Sequence, residues 1–278
     1  RMQRLANNIE SIPAAETERR ALGLLEQGLA RGLTSPVIAN GMLREIARSS
    51  GTRDPYAAFK EKELARARSV FTSIAGDITP DLRSCISLAV LGNTLDFFRD
   101  PEVVLEEIPA LLCSGIRFQR DDIDRLARFL DERPRRLLYL TDNTGEVYFD
   151  LPLYEALSRR SERCTLVLKG GPALNDLTGK ELRLSGLADR FTDMADTGTD
   201  GAGIDWERVS SEFLSLVSHS DLILAKGMAN FETVHPKALA ASTFYLFRVK
   251  CEPIHDMVGI PVGGFAALWK DGDRGAQR

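Results

Sequence analysis

Histidine and cysteine are scarce in this chain, three and four residues among 278. His219, His235 and His255 form no HxH or HExxH pair. Cys85, Cys113, Cys164 and Cys251 are scattered without a CxxC, which argues against both a disulfide framework and a thiolate zinc site. No apolar run approaches the ~20 residues that cross a bilayer. The opening "RMQRLANNIE" has no apolar signal core, and Arg1 ahead of Met2 reads as a trimmed start. A basic excess is missing too: 36 Lys and Arg face 40 Asp and Glu, a net charge of -4. Nucleic-acid surfaces need clustered cations, and Arg19-Arg20 and Arg135-Arg136 read only as solvated helix faces. No GxGxxG opens a helix after a strand and no GxxxxGK[ST] is present, against dinucleotide and P-loop sites. These absences predict a cytoplasmic protein with neither nucleic acid nor membrane as partner.

What is present divides near residue 133. Residues 1–133 carry apolar side chains at helical spacing, as in "ETERRALGLLEQGLARGL", and almost no strand signal. In "RDPYAAFKEKELARARSVFTSIA" Asp54 is the expected N-cap and Pro55 the first helical residue. Pro134 stops the helix of "DDIDRLARFLDERP". Residues 134–278 instead show four short apolar runs, "RLLYLTD", "CTLVLKG", "DLILAKG" and "STFYLFRVKC". Helical stretches separate them, for example 150–160 and 206–219. Unbroken apolar strands alternating with helices predict a three-layer α/β/α domain with a mainly parallel sheet, preceded by an all-helical N-terminal domain.

Ligands in such sheets sit beyond the carboxyl ends of the strands. The first run ends in "TDNTGE", the second in "KGGP" with Asn175 and Asp176 close behind, the third in "AKGMANFE". All three therefore present chemistry on one edge. Asp142, Asn143 and Asp176 are hard oxygen donors, suited to Mg²⁺ or Mn²⁺ rather than zinc. Lys169 and Lys226 supply positive charge, and Gly145, Gly170 and Gly227 let backbone N–H groups approach an anion. Cation, lysine and amide cradle together are the equipment of phosphoryl transfer or hydrolysis.

The stretches "DNTGEVYFD", "KGGPALND" and "AKGMANFE" resemble the three signature segments of the damage-control phosphatase family (ARMT-like, formerly domain of unknown function 89). "LGNTLDFF" is similar to its Gly-Asn-x-x-Asp helix, and "FRVKCEPIHDMVGIPVGG" to its closing strand and turn, over residues 54–264. The resemblance implies a metal-dependent phosphatase of small phosphorylated metabolites. It places the metal ligands on Asp142, Asn143 and Asp176 and a phosphate-binding cation on Lys226. Glu146, Asn230 and Glu232 match further motif positions, and Asn93 and Asp96 would close the cleft from the helical side. Glu146 is the candidate general base. The metal stays open among Mg²⁺, Mn²⁺, Co²⁺ and Ni²⁺.

Competing readings are weaker. "DTGTDGAGIDWE" nearly satisfies a calcium loop but has Gly198 and Gly203 at its third and eighth positions. "SHSD" ends a helix at the far edge of the sheet, and Cys251 reads as a buried strand-end thiol. Two other functions are consistent with the fold. An AdoMet-dependent carboxyl methyltransferase would want more glycine in the first loop; a non-catalytic module would bind a phosphorylated ligand without turnover.

Overall fold

The computed structural model describes residues 14–77, 81–94, 111 and 115–273. Helices α1 (Ala14–Ala30) and α2 (Ser35–Ser50) form a hairpin around a small core of Ala21, Ile38 and Met42. Helices α3 (Ala57–Ile74) and α4 (Leu82–Gly92) follow. Asp81 caps α4 by accepting from Ser84 N at 2.9 Å, satisfying an amide that a helix start leaves open. The cap expected at Asp54 forms differently. Helix α3 begins at Ala57, and Asp54 accepts from Tyr56 N while its other oxygen pairs with Lys60 Nζ at 2.7 Å.

The remaining elements are β1 (Phe118–Asp121), α5 (Ile123–Asp131), β2 (Arg136–Leu140), α6 (Val147–Ser158), β3 (Arg163–Leu168), α7 (Gly179–Ser185) and β4 (Met194–Asp196). After them come α8 (Ser211–Ser218), β5 (Leu222–Lys226), α9 (Gly227–Val234), β6 (Ser242–Arg248), α10 (Glu252–Val258) and β7 (Phe265–Lys270). The seven strands order as β1-β7-β6-β5-β2-β3-β4. All neighbours pair in parallel except β6 and β7.

Alternate side chains of the central strands feed two opposite cores. Leu137, Tyr139, Leu166, Leu222, Leu224 and Phe244 pack under α3 to α7. Leu138, Leu140, Val167, Ile223, Tyr245 and Phe247 pack under α8 to α10. This is the three-layer α/β/α arrangement that doubly apolar strands predict.

Three features depart from the sequence reading. Strand β1 and helix α5 lie within residues 1–133, read as helical throughout, yet join the sheet layer. Helices α3 and α4 bury their apolar faces in the same core as the sheet, so they form a layer of it. The helix expected over 206–219 begins only at Ser211, because Ser210 accepts from Phe213 N at 3.1 Å and caps it there.

The chain lays down β2, β3 and β4 outward in one direction, then starts again with β5 on the other side of β2. The connections leaving β2 and β5 thus diverge, opening a crevice between their carboxyl ends.

Candidate active site

Strand β2 ends at Leu140 and delivers Asp142 and Asn143 into this crevice; β5 ends at Lys226 beside them. Gly227 makes the close approach possible. It has φ +79°, and a Cβ there would lie 2.0 Å from Asp142 Oδ2. The loop after β3 is laced to the first: Thr144 N donates to Asn175 O at 2.8 Å and Leu177 N to Asp142 O at 2.9 Å. These bonds set Asp176 opposite Asn143.

Helix α4 brings Asn93 in from the other side, buried to 1% exposure. Its Nδ2 donates to Asp142 Oδ2 and to Glu146 Oε1, both at 2.8 Å. Asn143 Nδ2 donates to the same two oxygens, at 3.2 and 2.7 Å. Two amides therefore fix two carboxylates. Asp96 lies outside the described residues.

Lys226 is fully buried and all its protons have takers: Ala89 O at 2.9 Å, Glu146 Oε2 at 2.8 Å and Asp150 Oδ1. Tyr139 Oη also donates to Asp150 Oδ1, at 2.8 Å. Burial opposes ionisation of Glu146, but the Lys226 ammonium outweighs it and holds the carboxyl below its usual range. Asp142 goes the other way. Burial, then the charges of Glu146 and Asp176, push its carboxyl well up. Burial likewise takes Asp176 up to about 6, against the pull of Lys169.

Among the described residues no hydrogen bond reaches Asp142 Oδ1 or Asn143 Oδ1, and the wholly buried Asp176 Oδ2 accepts none. Lys169 Nζ lies 3.5 Å from Asp176 Oδ2 and donates to Gly203 O. Buried carboxylate oxygens without donors are costly unless a cation meets them. Among the described residues no three His, Cys, Asp or Glu side chains gather as a metal-binding set. The candidate set here is two carboxylates and an amide, chemistry that fits a hard divalent ion retaining water and substrate oxygens.

Several residues read from the sequence take other places than expected. Gly145 does not present its amide to the crevice: its N–H donates to Glu63 Oε1 at 3.0 Å, and a Cβ would strike Glu63 Cγ at 2.9 Å. Asn175 donates to Glu63 Oε2 at 3.1 Å. Asn230 is fully buried and donates to Thr141 O at 2.9 Å and Lys226 O at 2.7 Å, tying the first and third loops from behind. Glu146 has three of its four acceptor positions engaged, by Asn93 and Asn143 on Oε1 and by Lys226 on Oε2. Gly170 packs against the backbone of Gly198, where a Cβ would lie 2.7 Å away. Glu232 sits half-buried on α9.

Sequence reasoning missed Glu63, Asp150, Tyr139 and Lys250. Asp150 falls one helical turn after Glu146, a spacing that puts both on one face. Glu63 sits in a helix for which only the start was read, although "AAFKEKEL" places Lys60, Glu63 and Leu64 on its buried side. Lys250, half-buried after β6, lowers both Asp142 and Glu146 by its charge.

Comparison with known proteins gives a consistent result. The family model for the damage-control phosphatase ARMT1-like domain matches residues 3–264. A damage-control phosphatase of Pyrococcus horikoshii is 30% identical over 276 residues, covering 95% of this chain and 94% of its own. One of Archaeoglobus fulgidus is 29% identical, covering 83% and 81%. The crystal structure of a DUF89 family protein from Pyrococcus horikoshii superposes with a TM-score of 0.81 at 29% identity, over 96% of this chain and 93% of that one.

Proposed function

Since the chain belongs to the damage-control phosphatase ARMT1-like domain family, we propose that it is a phosphatase hydrolysing phosphoric monoesters of small metabolites with a divalent cation. Asp142, Asn143 and Asp176 would hold that cation. The observation that carries the reading is the set of three oxygens, Asp142 Oδ1, Asn143 Oδ1 and Asp176 Oδ2, buried or half-buried at one crevice with no hydrogen-bond donor. When bound there, the ion would polarise the phosphoryl oxygens and acidify a coordinated water.

The chain's own groups prepare the ground. Asn93 and Asn143 clamp Oδ2 of Asp142, which leaves Oδ1 aimed away from the clamp. Lys226 acts through Glu146 rather than on the phosphate. It keeps that carboxylate ionised, and Glu146 in turn orders both amides. Lys250, half-buried, acts by its charge on Asp142 and Glu146 and would add to the positive potential that phosphoryl oxygens meet. Charge brought to the site by the substrate would thus be met by lysine.

The test is phosphate release from a panel of sugar phosphates and nucleotides, with Mg²⁺, Mn²⁺, Co²⁺ or Ni²⁺ against EDTA, on wild type and Asp142→Ala. Metal-dependent release that the variant loses is the expected result. Release that persists in EDTA would overturn the cation; no release by wild type across the panel would overturn the enzyme.

A further inference from the structure

Two neighbouring cavities open beside this crevice, of about 460 and 500 Å³, and share Arg53, Asp54, Gly171 and Pro172 on their walls. They form one trough across the carboxyl ends of β3 and β4. Its inner wall is Lys169, the residue 3.5 Å from Asp176. The floor exists because Gly170 and Gly171 allow the loop after β4 to pack directly on them. A Cβ at position 170 would meet Gly198 backbone at 2.7 Å, and one at 171 would meet Asp200 Cβ at 3.1 Å.

The acids on the trough wall all have partners. Asp54 and Glu181 both pair with the buried Lys60, at 2.7 and 3.1 Å. Asp200 pairs with Arg44 at 3.0 Å, and Asp196 accepts from Gly198 N at 2.7 Å. The cations are different. Among the described residues, Arg53, Lys180, Arg183 and Arg208 line the same walls with no carboxylate within ion-pair distance. In a chain of net charge -4 this surplus is local. Lys60 answers both Asp54 and Glu181, Arg44 answers both Asp200 and Asp205, and Asp196 has only a backbone amide. The four cations still outnumber the acidic charge left over, and a concavity with that excess attracts anions. Guanidinium groups in particular suit the paired oxygens of phosphate or carboxylate.

We infer that the trough binds a second anionic group of the substrate, a phosphate or carboxylate remote from the phosphoryl group that is cleaved. The inference rests on the phosphatase reading. Its size is that of a metabolite binding site rather than of a single ion, and its inner end at Lys169 makes it continuous with the crevice. The preferred substrates are then doubly anionic phospho-metabolites, bound across the ends of β2, β3 and β4.

The experiment compares a hexose bisphosphate with the matching hexose monophosphate, on wild type and on Arg53→Ala/Lys180→Ala/Arg183→Ala. All three side chains are exposed, so the fold tolerates their loss. KM for the bisphosphate should rise at least about tenfold, since one hydrogen bond to a charged group accounts for that factor. Its kcat, and KM for the monophosphate, should stay within about twofold of wild type, as expected when binding shared by ground and transition state is removed. Equal loss on both substrates, or none on either, would overturn the trough. If wild type hydrolyses neither compound, the phosphatase reading is decided by the wider substrate panel. The trough is then judged by calorimetric binding of the bisphosphate: weaker binding by the triple variant supports it, and unchanged or absent binding overturns it.

Discussion

At Gly227 the backbone is left-handed and the next atom outward would overlap the Asp142 carboxylate. Alanine there adds the strain of a positive φ to that overlap. We expect Gly227→Ala to lose at least about 2 kcal/mol of stability in urea unfolding and to displace Asp142, with metal affinity falling in parallel. Unchanged stability would mean that the loop yields freely. Asp150 makes a second prediction. Burial takes its carboxyl up to about 6, although Lys226 pulls it down, while an unfolded aspartate titrates near 3.8. The folded chain therefore binds more protons than the unfolded chain between those values. That part of the stability is fully present below pH ~4 and is lost as pH rises through ~6. Asp150→Asn has no such titration, so its stability relative to wild type should improve by on the order of 3 kcal/mol from pH 4 to pH 7. A pH-independent difference between the two would contradict the assignment. The direct carbon-to-oxygen logic of Asp142, Asn143 and Asp176 was open to sequence reasoning because their type and strand-end position suffice. The engagement of Lys226 was not, since its partners Ala89, Glu146 and Asp150 come from three separate stretches.

Among the elements, α3 matters beyond its packing. Glu63, 1% exposed, accepts from Gly145 in the loop after β2 and from Asn175 in the loop after β3. One side chain thereby holds both loops that carry the proposed metal ligands. Second-sphere partners of this kind are worth about 10–100-fold in metal affinity. Glu63→Ala should weaken Mn²⁺ binding by that factor in calorimetry. Glu63→Gln should recover much of it, because its amide oxygen still accepts from Gly145 and the Asn175 amide can turn to offer its own oxygen. An Ala variant that binds Mn²⁺ as wild type does would show that the loops hold themselves. Periodicity was enough to place α3 as a helix and to find four of the strands, whose apolar runs are unbroken. It missed β1, "FQRD", because only Phe118 is buried on that edge strand. It also missed β7, "FAALWK", which runs antiparallel to β6 and whose alanines carry little strand signal.

For the whole molecule, a cation bound at the crevice stabilises only the folded chain. Mn²⁺ at 100 times its dissociation constant should add roughly 2.7 kcal/mol to unfolding, and EDTA should remove it. The same titration on Asp142→Ala should give no shift; a shift of equal size there would place the ion elsewhere. The layer architecture was legible because the central strands β2, β3, β5 and β6 are apolar on both faces. The packing partner of the N-terminal helices was not, because helical spacing reports a buried face without saying what it is buried against. In α3 and α4 that partner is the sheet itself.

The bonds that build the crevice join residues far apart along the chain. Gly145 reaches back 82 positions to Glu63, Lys226 reaches back 137 to Ala89, and Arg248 N donates to Asn93 across 155. Contacts of such separation form late, after the loops between them have closed. A nascent chain that has emerged only through α7 already carries Asp142, Asn143 and Asp176, yet lacks Lys226 to hold Glu146 ionised and Arg248 to fix Asn93. The proposed site is therefore completed only late in synthesis.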